Sequence, residues 1–165
     1  MAGRDVPRNV APLAADEEAA WRALARAVLV IPRMLDADLM RAQGLHATEY
    51  NVLMNLSEAP EQSLRMSELA NCVGISVSGL TRAIQRLERE DRVRRVRSAS
   101  DGRGQVAVLT PAGRQCLEDA WPAHLESVRR HVVDHLRDLD LATLTEALTA
   151  IAHHDTGSPN RGEDR

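Results

Sequence analysis

The chain has 165 residues, which is enough for one compact domain and too few for two of ordinary size. Apolar residues make up 44% with no Phe, one Tyr and two Trp, so the core must consist of Leu, Val, Ala, Ile and Met, a mixture that favours helices. The net charge is −3. No apolar run reaches 18 residues, and the first residues lack the apolar core of a secretory signal. These features predict a cytoplasmic protein without a membrane span.

The N-terminal part of the chain is predicted to be a tail followed by a long helix. Residues 1–14 contain two prolines and no apolar period, which is typical of a disordered tail. From Asp16, apolar residues recur at steps of three and four and predict a helix that ends near Gly44, with a bend at Pro32. The apolar positions are Trp21, Leu24, Val28, Ile31, Leu35 and Leu39.

Three shorter helices are predicted to follow. The second helix of the chain ends near Pro60 and directs Tyr50, Leu53, Met54 and Leu56 inward. A third helix covers Met66–Cys72 and is closed by Gly74. Ser76 is a good N-cap and opens a fourth helix that continues to about Glu90.

The period then changes from 3.6 to 2, which indicates a β-hairpin. Val93 and Val96 precede its polar tip, SASDGRGQ, and Val106 and Val108 follow it. A Thr110–Pro111 start signal predicts a fifth helix that reaches about Leu136 and is kinked at Pro122.

The sixth helix, about Leu141 to His153, has one apolar face, and residues 155–165 are predicted to be a second disordered tail. The apolar faces of the first, fifth and sixth helices exceed what so small a core can cover. The simplest solution is a second copy of the chain, so we predict a homodimer.

The window Met66–Gln85 fits a helix-turn-helix. Ala70 is the small residue where two helices cross, and Gly74 supplies the turn. The inner positions are apolar, with Leu69, Val73, Ile75, Val77, Leu80, Ile84 and Leu87 predicted to point inward. The outer face of the second helix is polar, with Ser78, Thr81, Arg82, Gln85, Arg86 and Arg89. Between Arg82 and Arg103, eight arginines and four acids give about +4 on an acidic chain, which predicts nucleic-acid binding by one face.

Helix-turn-helix and hairpin together make a winged helix, and residues 64–114 resemble the core of the MarR family of transcription regulators. The most specific elements of the likeness are Leu80-Thr81-Arg82, the wing residues Asp101 and Arg103, and Leu109-Thr110 with Gly113. The order of helices extends it to about residues 16–154. The resemblance implies a mainly α fold with a small β wing, in which 45–110 form the DNA-binding lobe and 16–44 with 111–154 form the dimerisation region.

The resemblance also implies a function and a set of DNA-binding residues. Family members are typically homodimers that bind a palindromic operator, usually as repressors released by a small ligand or an oxidant. The recognition-helix positions are Ser76, Ser78, Thr81, Arg82 and Gln85, with Arg86 better placed for phosphates. Arg103 is expected in the minor groove with Asp101 orienting it, and Arg95 supports the wing or reaches a phosphate. One departure is Asp91, where Gly is usual.

The nature of an effector, and the choice between repressor and activator, stay open. Zinc is conceivable at His131, His135, His153 and His154, of which the first two are four residues apart. An oxidant is conceivable at Cys72 or Cys116. A small ligand could lie among Trp21, Met34, Met40, His46 and Tyr50, although packing accounts for these residues more simply.

Two other classes of function are disfavoured. The chain has no nucleophile elbow and no Walker loop, so we predict neither an enzyme nor a cofactor. A winged helix that binds only proteins would have a neutral recognition helix, whereas this one has three arginines, Arg82, Arg86 and Arg89.

Overall fold

The computed structural model describes residues 11–97 and 104–153, and within those ranges it consists of six α-helices, two short 3-10 turns and three strands. The helices are α1 (Ala15–Gln43), α2 (Ala47–Glu58), α3 (Met66–Val73), α4 (Val77–Arg89), α5 (Pro111–His131) and α6 (Leu141–His153). The strands are β1 (Ser63–Arg65), β2 (Val93–Arg97) and β3 (Gln105–Leu109). The mainly α winged-helix fold predicted from the sequence is thereby confirmed.

Local capping signals set several of the helix boundaries where the sequence predicted them. Ser76 begins α4 by accepting a hydrogen bond on its Oγ from the Gly79 backbone N–H at 3.1 Å. Thr110 begins α5 in the same way, from the Gly113 N–H at 3.0 Å. Gly74 ends α3 with φ of 73°, a left-handed conformation that costs glycine little.

The three strands form an antiparallel sheet in the order β1–β3–β2. The predicted hairpin is β2–β3, in which Val96 pairs with Val106. Strand β1 was not predicted, since three residues are too few to show a period; it pairs with β3 through Leu64 and Ala107. The sheet joins the segment before the helix-turn-helix to the wing that follows it.

The core lies between α2, α3, α4 and the sheet, and leucine is its most frequent residue. Its fully buried members come from every one of these elements and include Leu53, Leu56, Leu69, Leu80, Ile84, Leu87, Val93 and Ala107. The last part of α1 and the middle of α5 close it with Leu39 and Ala120. Because the core joins α4 to the elements around it, α4 is held in a fixed orientation relative to them.

The fifth helix is shorter than the sequence predicted. It ends at His131, not near Leu136, because Val132 leaves the helical region with φ −132° and ψ −68°. A single 3-10 turn, Val133–His135, follows. The break coincides with two successive β-branched residues, Val132 and Val133, which have a slightly lower helix propensity. Pro32 and Pro122 lie inside continuous helices, and the bends expected there remain predictions.

Asp38 joins α1 to α5. Its carboxylate accepts hydrogen bonds from the Ser127 hydroxyl at 2.7 Å and from Arg130 at 2.6 Å, and His131 Nε2 lies 2.8 Å away. The Ser127 hydroxyl, together with Arg41, Arg130 and His131, holds the pKa of Asp38 well below its usual range. The long helix α1 is therefore fastened to α5 by a polar cluster near the end of α5.

The predicted tails lie almost wholly outside the described residues. Residues 1–10 and 155–165 fall there, whereas residues 11–14 are described and precede α1 without regular structure. None of the helices in residues 11–97 and 104–153 combines the length and apolar character needed to cross a bilayer.

Candidate nucleic-acid interface

Helix α4 separates an apolar inner face from a polar outer face. Leu80, Ala83, Ile84 and Leu87 are buried in the core. Ser78, Arg82, Gln85 and Arg89 are exposed on the other side, as the sequence predicted. The inward placement predicted for Val77 is wrong, because this residue is 53% exposed. It is the first residue of the helix, where the inner face has not yet met the core.

The hydroxyl groups at the start of α4 already have partners within the helix. Ser76 Oγ caps the helix and lies 3.1 Å from Ser78 Oγ. Thr81 Oγ1 donates to the backbone carbonyl of Val77 at 2.8 Å. These three predicted recognition residues are thus brought together at one end of α4, where part of their hydrogen-bonding capacity is used locally.

Further along α4, four long side chains line a shallow groove of about 480 Å³: Arg82, Gln85, Arg86 and Arg89. The guanidinium of Arg82 has no hydrogen bond or ion pair with any residue of the described part of the chain, and neither has the side-chain amide of Gln85. Both groups are therefore free for an external ligand. A guanidinium and an amide are the groups that make bidentate hydrogen bonds to guanine and adenine edges.

Arg86 differs from its neighbours because it is paired inside the protein. Its Nε donates to the carboxylate of Glu49 on α2, whose side chain is only 7% exposed. Glu49 also accepts a hydrogen bond from the His46 backbone N–H at 3.0 Å, which caps α2. One carboxylate thus fixes the start of α2 and ties it to the recognition helix. Glu49 was not among the residues predicted from the sequence, although its spacing from His46 is that of a capping box.

Arg95 of β2 is likewise engaged by an acid of α4. Glu88 Oε1 accepts hydrogen bonds from the Arg95 backbone N–H and from its Nε, both at 3.1 Å, and Glu88 Oε2 lies 2.6 Å from Arg95 Nη2. Of the two roles that the resemblance implied, this geometry favours support of the wing. Glu88 therefore positions the first wing strand on the recognition helix.

The chain turns from α4 into the wing through tightly packed backbone. Asp91 has φ of 54°, so it adopts the left-handed conformation for which Gly is usual at this position. Its carbonyl accepts a hydrogen bond from the Thr110 hydroxyl at 2.5 Å. Gly113 packs against this turn so closely that a Cβ would lie 2.0 Å from the Arg92 carbonyl oxygen. The wing thus leaves α4 in a defined direction. The tip residues Asp101 and Arg103 lie outside the described residues.

A cavity of about 440 Å³ opens between α2 and α5. Its lining consists of Tyr50, Met54, Ser57, Glu58, Leu117, Glu118 and Trp121. Of the five residues considered for a ligand crevice, only Tyr50 takes part. The others, Trp21, Met34, Met40 and His46, do not line it.

Tyr50, one of the residues that line this cavity, carries a buried polar group without a partner. The residue is 2% exposed, and its buried hydroxyl has no hydrogen-bond partner in the described part of the chain. Burial and the Glu58 carboxylate raise the pKa of Tyr50. Its ring lies 4.3 Å from that of His124, whose pKa is lowered by burial. A buried hydroxyl without a partner is costly, which makes Tyr50 an exception among the buried polar groups of the described residues.

The geometry proposed for zinc is not present. His131 ends α5 and His135 lies in the following 3-10 turn, so they do not share a helix face, and His131 contacts Asp38 instead. In residues 11–97 and 104–153, no group of three or more His, Cys, Asp and Glu could hold a metal ion. His154 lies outside these ranges.

The two candidate redox cysteines are far apart in the chain and lie on different helices. Cys72 is exposed on α3, whereas Cys116 is half-buried on α5. Burial raises the pKa of the Cys116 thiol, which lowers its thiolate fraction at neutral pH. The geometry therefore gives no support to Cys116 as a reactive thiol.

Comparisons with known proteins agree with this architecture. The model of the MarR family matches residues 43–104. The structure resembles that of Sco3205, a MarR family transcriptional regulator from Streptomyces coelicolor crystallised in complex with DNA, with 34% identity, a TM-score of 0.82 and coverage of 94% of this chain and 97% of that one. It also resembles AbsC, a MarR family regulator from the same organism, with 38% identity, a TM-score of 0.80 and coverage of 90% and 100%.

Among curated proteins, the chain is similar to the transcriptional repressor MprA of Escherichia coli (strain K12). The two are 30% identical over 84 residues, which is 51% of this chain. The matched part is 48% of MprA, so the chain spans about half the length of this relative.

Proposed function

Since the chain belongs to the MarR family of transcription regulators and is not an enzyme, we propose that it binds double-stranded DNA sequence-specifically through the outer face of α4. The observation that carries the proposal is that the side chains of Arg82 and Gln85 are exposed and unpaired, on a helix whose opposite face is buried in the core. Sco3205, which is similar over nearly its whole length, was crystallised with DNA, and this supports the same use of the fold.

We further propose that the DNA-binding species is a homodimer. Val28 and Leu29 on α1, and Leu148 and Ile151 on α6, are exposed in the single chain. Two copies can bury these surfaces together and set two recognition helices about 10 bp apart in successive major grooves. The operator is then an inverted repeat.

The wing supplies the contacts outside the two half-sites. Arg103 at its tip enters the adjacent minor groove, and Asp101 holds the guanidinium in position before DNA arrives. Arginines favour narrow A·T-rich minor grooves, where the negative potential is deepest. The outer flanks of the operator are therefore A·T-rich. The bracing of β2 by Glu88 supports this arrangement, because it sets the wing relative to α4.

Ligand-released repression is the mode of regulation that we propose. The cavity between α2 and α5 has a mostly apolar lining that includes Tyr50, whose buried hydroxyl has no hydrogen-bond partner in the described part of the chain. Glu49, which directly precedes Tyr50 in α2, pairs with Arg86 of α4. A small molecule that accepts a hydrogen bond from Tyr50 and shifts α2 thereby displaces α4 from its DNA-binding position.

Selection of bound sequences from a random DNA pool, with the purified full chain, tests these proposals together. The expected product is an inverted repeat with half-site centres about 10 bp apart. Repeating the selection with phenolic compounds or with zinc tests release by an effector. Enrichment of no sequence would overturn specific DNA binding, and enrichment of a single half-site would overturn the homodimer.

The base contact of Arg82 is tested by Arg82→Ala. We expect a loss of roughly 1–3 kcal/mol in operator binding and a relaxed preference at one position of each half-site. Binding measured on all four base-pair variants of each position separates this result from a uniform loss, which would make Arg82 a phosphate contact. Arg161→Ala, near the end of the chain, removes the same charge outside the lobe and the helices of the proposed dimer and serves as the control.

A further inference from the structure

Val77 is an apolar side chain exposed at the front of the recognition helix. It is the first residue of α4, is 53% exposed, and lies between Ser76 and Ser78. Single exposed apolar residues are common on proteins, but this one begins a helix whose exposed face is otherwise polar. We propose that Val77 determines part of the operator sequence by contacting the C5-methyl group of a thymine, an inference that rests on the proposed DNA binding.

The hydroxyl groups around Val77 are engaged in hydrogen bonds within the helix. Val77 is therefore the main exposed apolar side chain at this end of α4. Ser76 Oγ accepts from Gly79, and Ser76 and Ser78 lie within hydrogen-bond distance of each other. Thr81, one turn after Val77, donates its hydroxyl hydrogen to the Val77 carbonyl and keeps only its acceptor capacity. The front of α4 therefore offers few free donors for base edges and one exposed apolar surface.

The major groove has one apolar group that identifies a base pair. Thymine carries a methyl group at C5, and small apolar side chains recognise it by contact. In the helix-turn-helix mode, residues at the N-terminal end of the recognition helix approach the base edges. Val77 has the chemistry and the position for this contact, whereas Arg82 and Gln85 recognise hydrogen-bonding groups further along the groove.

The proposal is tested by replacing thymine with deoxyuridine in the selected operator, one position of each half-site at a time. Deoxyuridine keeps every hydrogen-bonding group and removes only the methyl. Loss of one buried apolar carbon group weakens binding about fourfold. We expect one position at which deoxyuridine has this effect on the wild-type protein and almost none on Val77→Ala. Val77→Ala on the thymine operator should show the same loss.

The remaining thymines of the operator are the internal control, because their substitution should affect both proteins equally. The midpoint of thermal unfolding should be the same for both, since Val77 lies outside the core. Equal deoxyuridine profiles for the two proteins would overturn the role of Val77 and leave DNA binding intact. Failure of the wild-type chain to select any DNA sequence would overturn both.

Discussion

The lobe formed by residues 45–110 and the terminal helices α1 and α6 have similar apolar patterns but differ in how far those patterns are buried. In the lobe, Leu53, Leu69 and Leu80 are completely buried by other parts of the same chain. In the terminal helices, Leu29 of α1 and Ile151 of α6 are more than half exposed, and Leu39 is the only buried residue of α1. Amphipathic spacing predicts a helix in both cases, but burial depends on what lies opposite. The lobe's core is complete in one chain, and the terminal helices have apolar surface left for a second.

The largest effect is expected from a substitution on the exposed apolar face of α6. Leu148→Glu places a carboxylate on the apolar face, where the proposed dimer buries it at a cost of several kcal/mol. We expect the dissociation constant of the dimer to rise at least about 100-fold, measured by analytical ultracentrifugation. Affinity for the complete operator should fall with it.

Ala150→Glu is the matched control, because it adds the same charge at a position on the opposite side of α6. It should leave the dimer intact. If Leu148→Glu sediments as the wild-type dimer, α6 does not contribute to the interface and the exposed surface needs another explanation.

A smaller effect is expected within the lobe, where two neighbouring arginines of α4 should respond differently. Arg86→Ala leaves the buried carboxylate of Glu49 without its partner, so we expect the free energy of unfolding to fall by about 1–3 kcal/mol. Arg89→Ala removes the same charge from an exposed position and should weaken DNA binding with little effect on stability. Urea denaturation of the two variants makes the comparison. Equal stabilities would show that the Arg86–Glu49 pair does not brace the lobe.

The smallest effect is expected at the polar cluster around Asp38, which joins α1 to α5. The pKa of Asp38 is depressed in the folded chain, so its contribution to stability is present above its unfolded pKa of about 4 and is lost as the pH falls through the folded value. Asp38→Asn should therefore lower the thermal unfolding midpoint near neutral pH. The difference from wild type should narrow as the pH is lowered below about 4. A difference that is independent of pH would show that the charge of Asp38 contributes nothing.

Much of the fold was predictable because its signals are local. The Ser76 and Thr110 caps, the turn at Gly74 and the period of α4 each depend on residues within a few positions of one another, and all were predicted. Strand β1 was missed because its partner, β3, lies more than 40 residues away. The end of α5 was misplaced because apolar spacing continues past His131 after the helix has stopped.

In the candidate site, too, the local features were predictable and the contacts between distant residues were not. Composition and spacing were enough to place an arginine-rich recognition helix in front of a hairpin, because amphipathic periodicity is a property of neighbouring residues. Which arginines remain free depended on the packing of distant elements: Glu49 is 37 residues from Arg86, and Glu88 meets Arg95 only because β2 folds back against α4. The exposure of Val77 has the same origin, since the sequence shows an apolar residue but not where the core ends. Hydrogen bonds and burial between distant segments exist only after the chain has folded, so no periodic pattern records them.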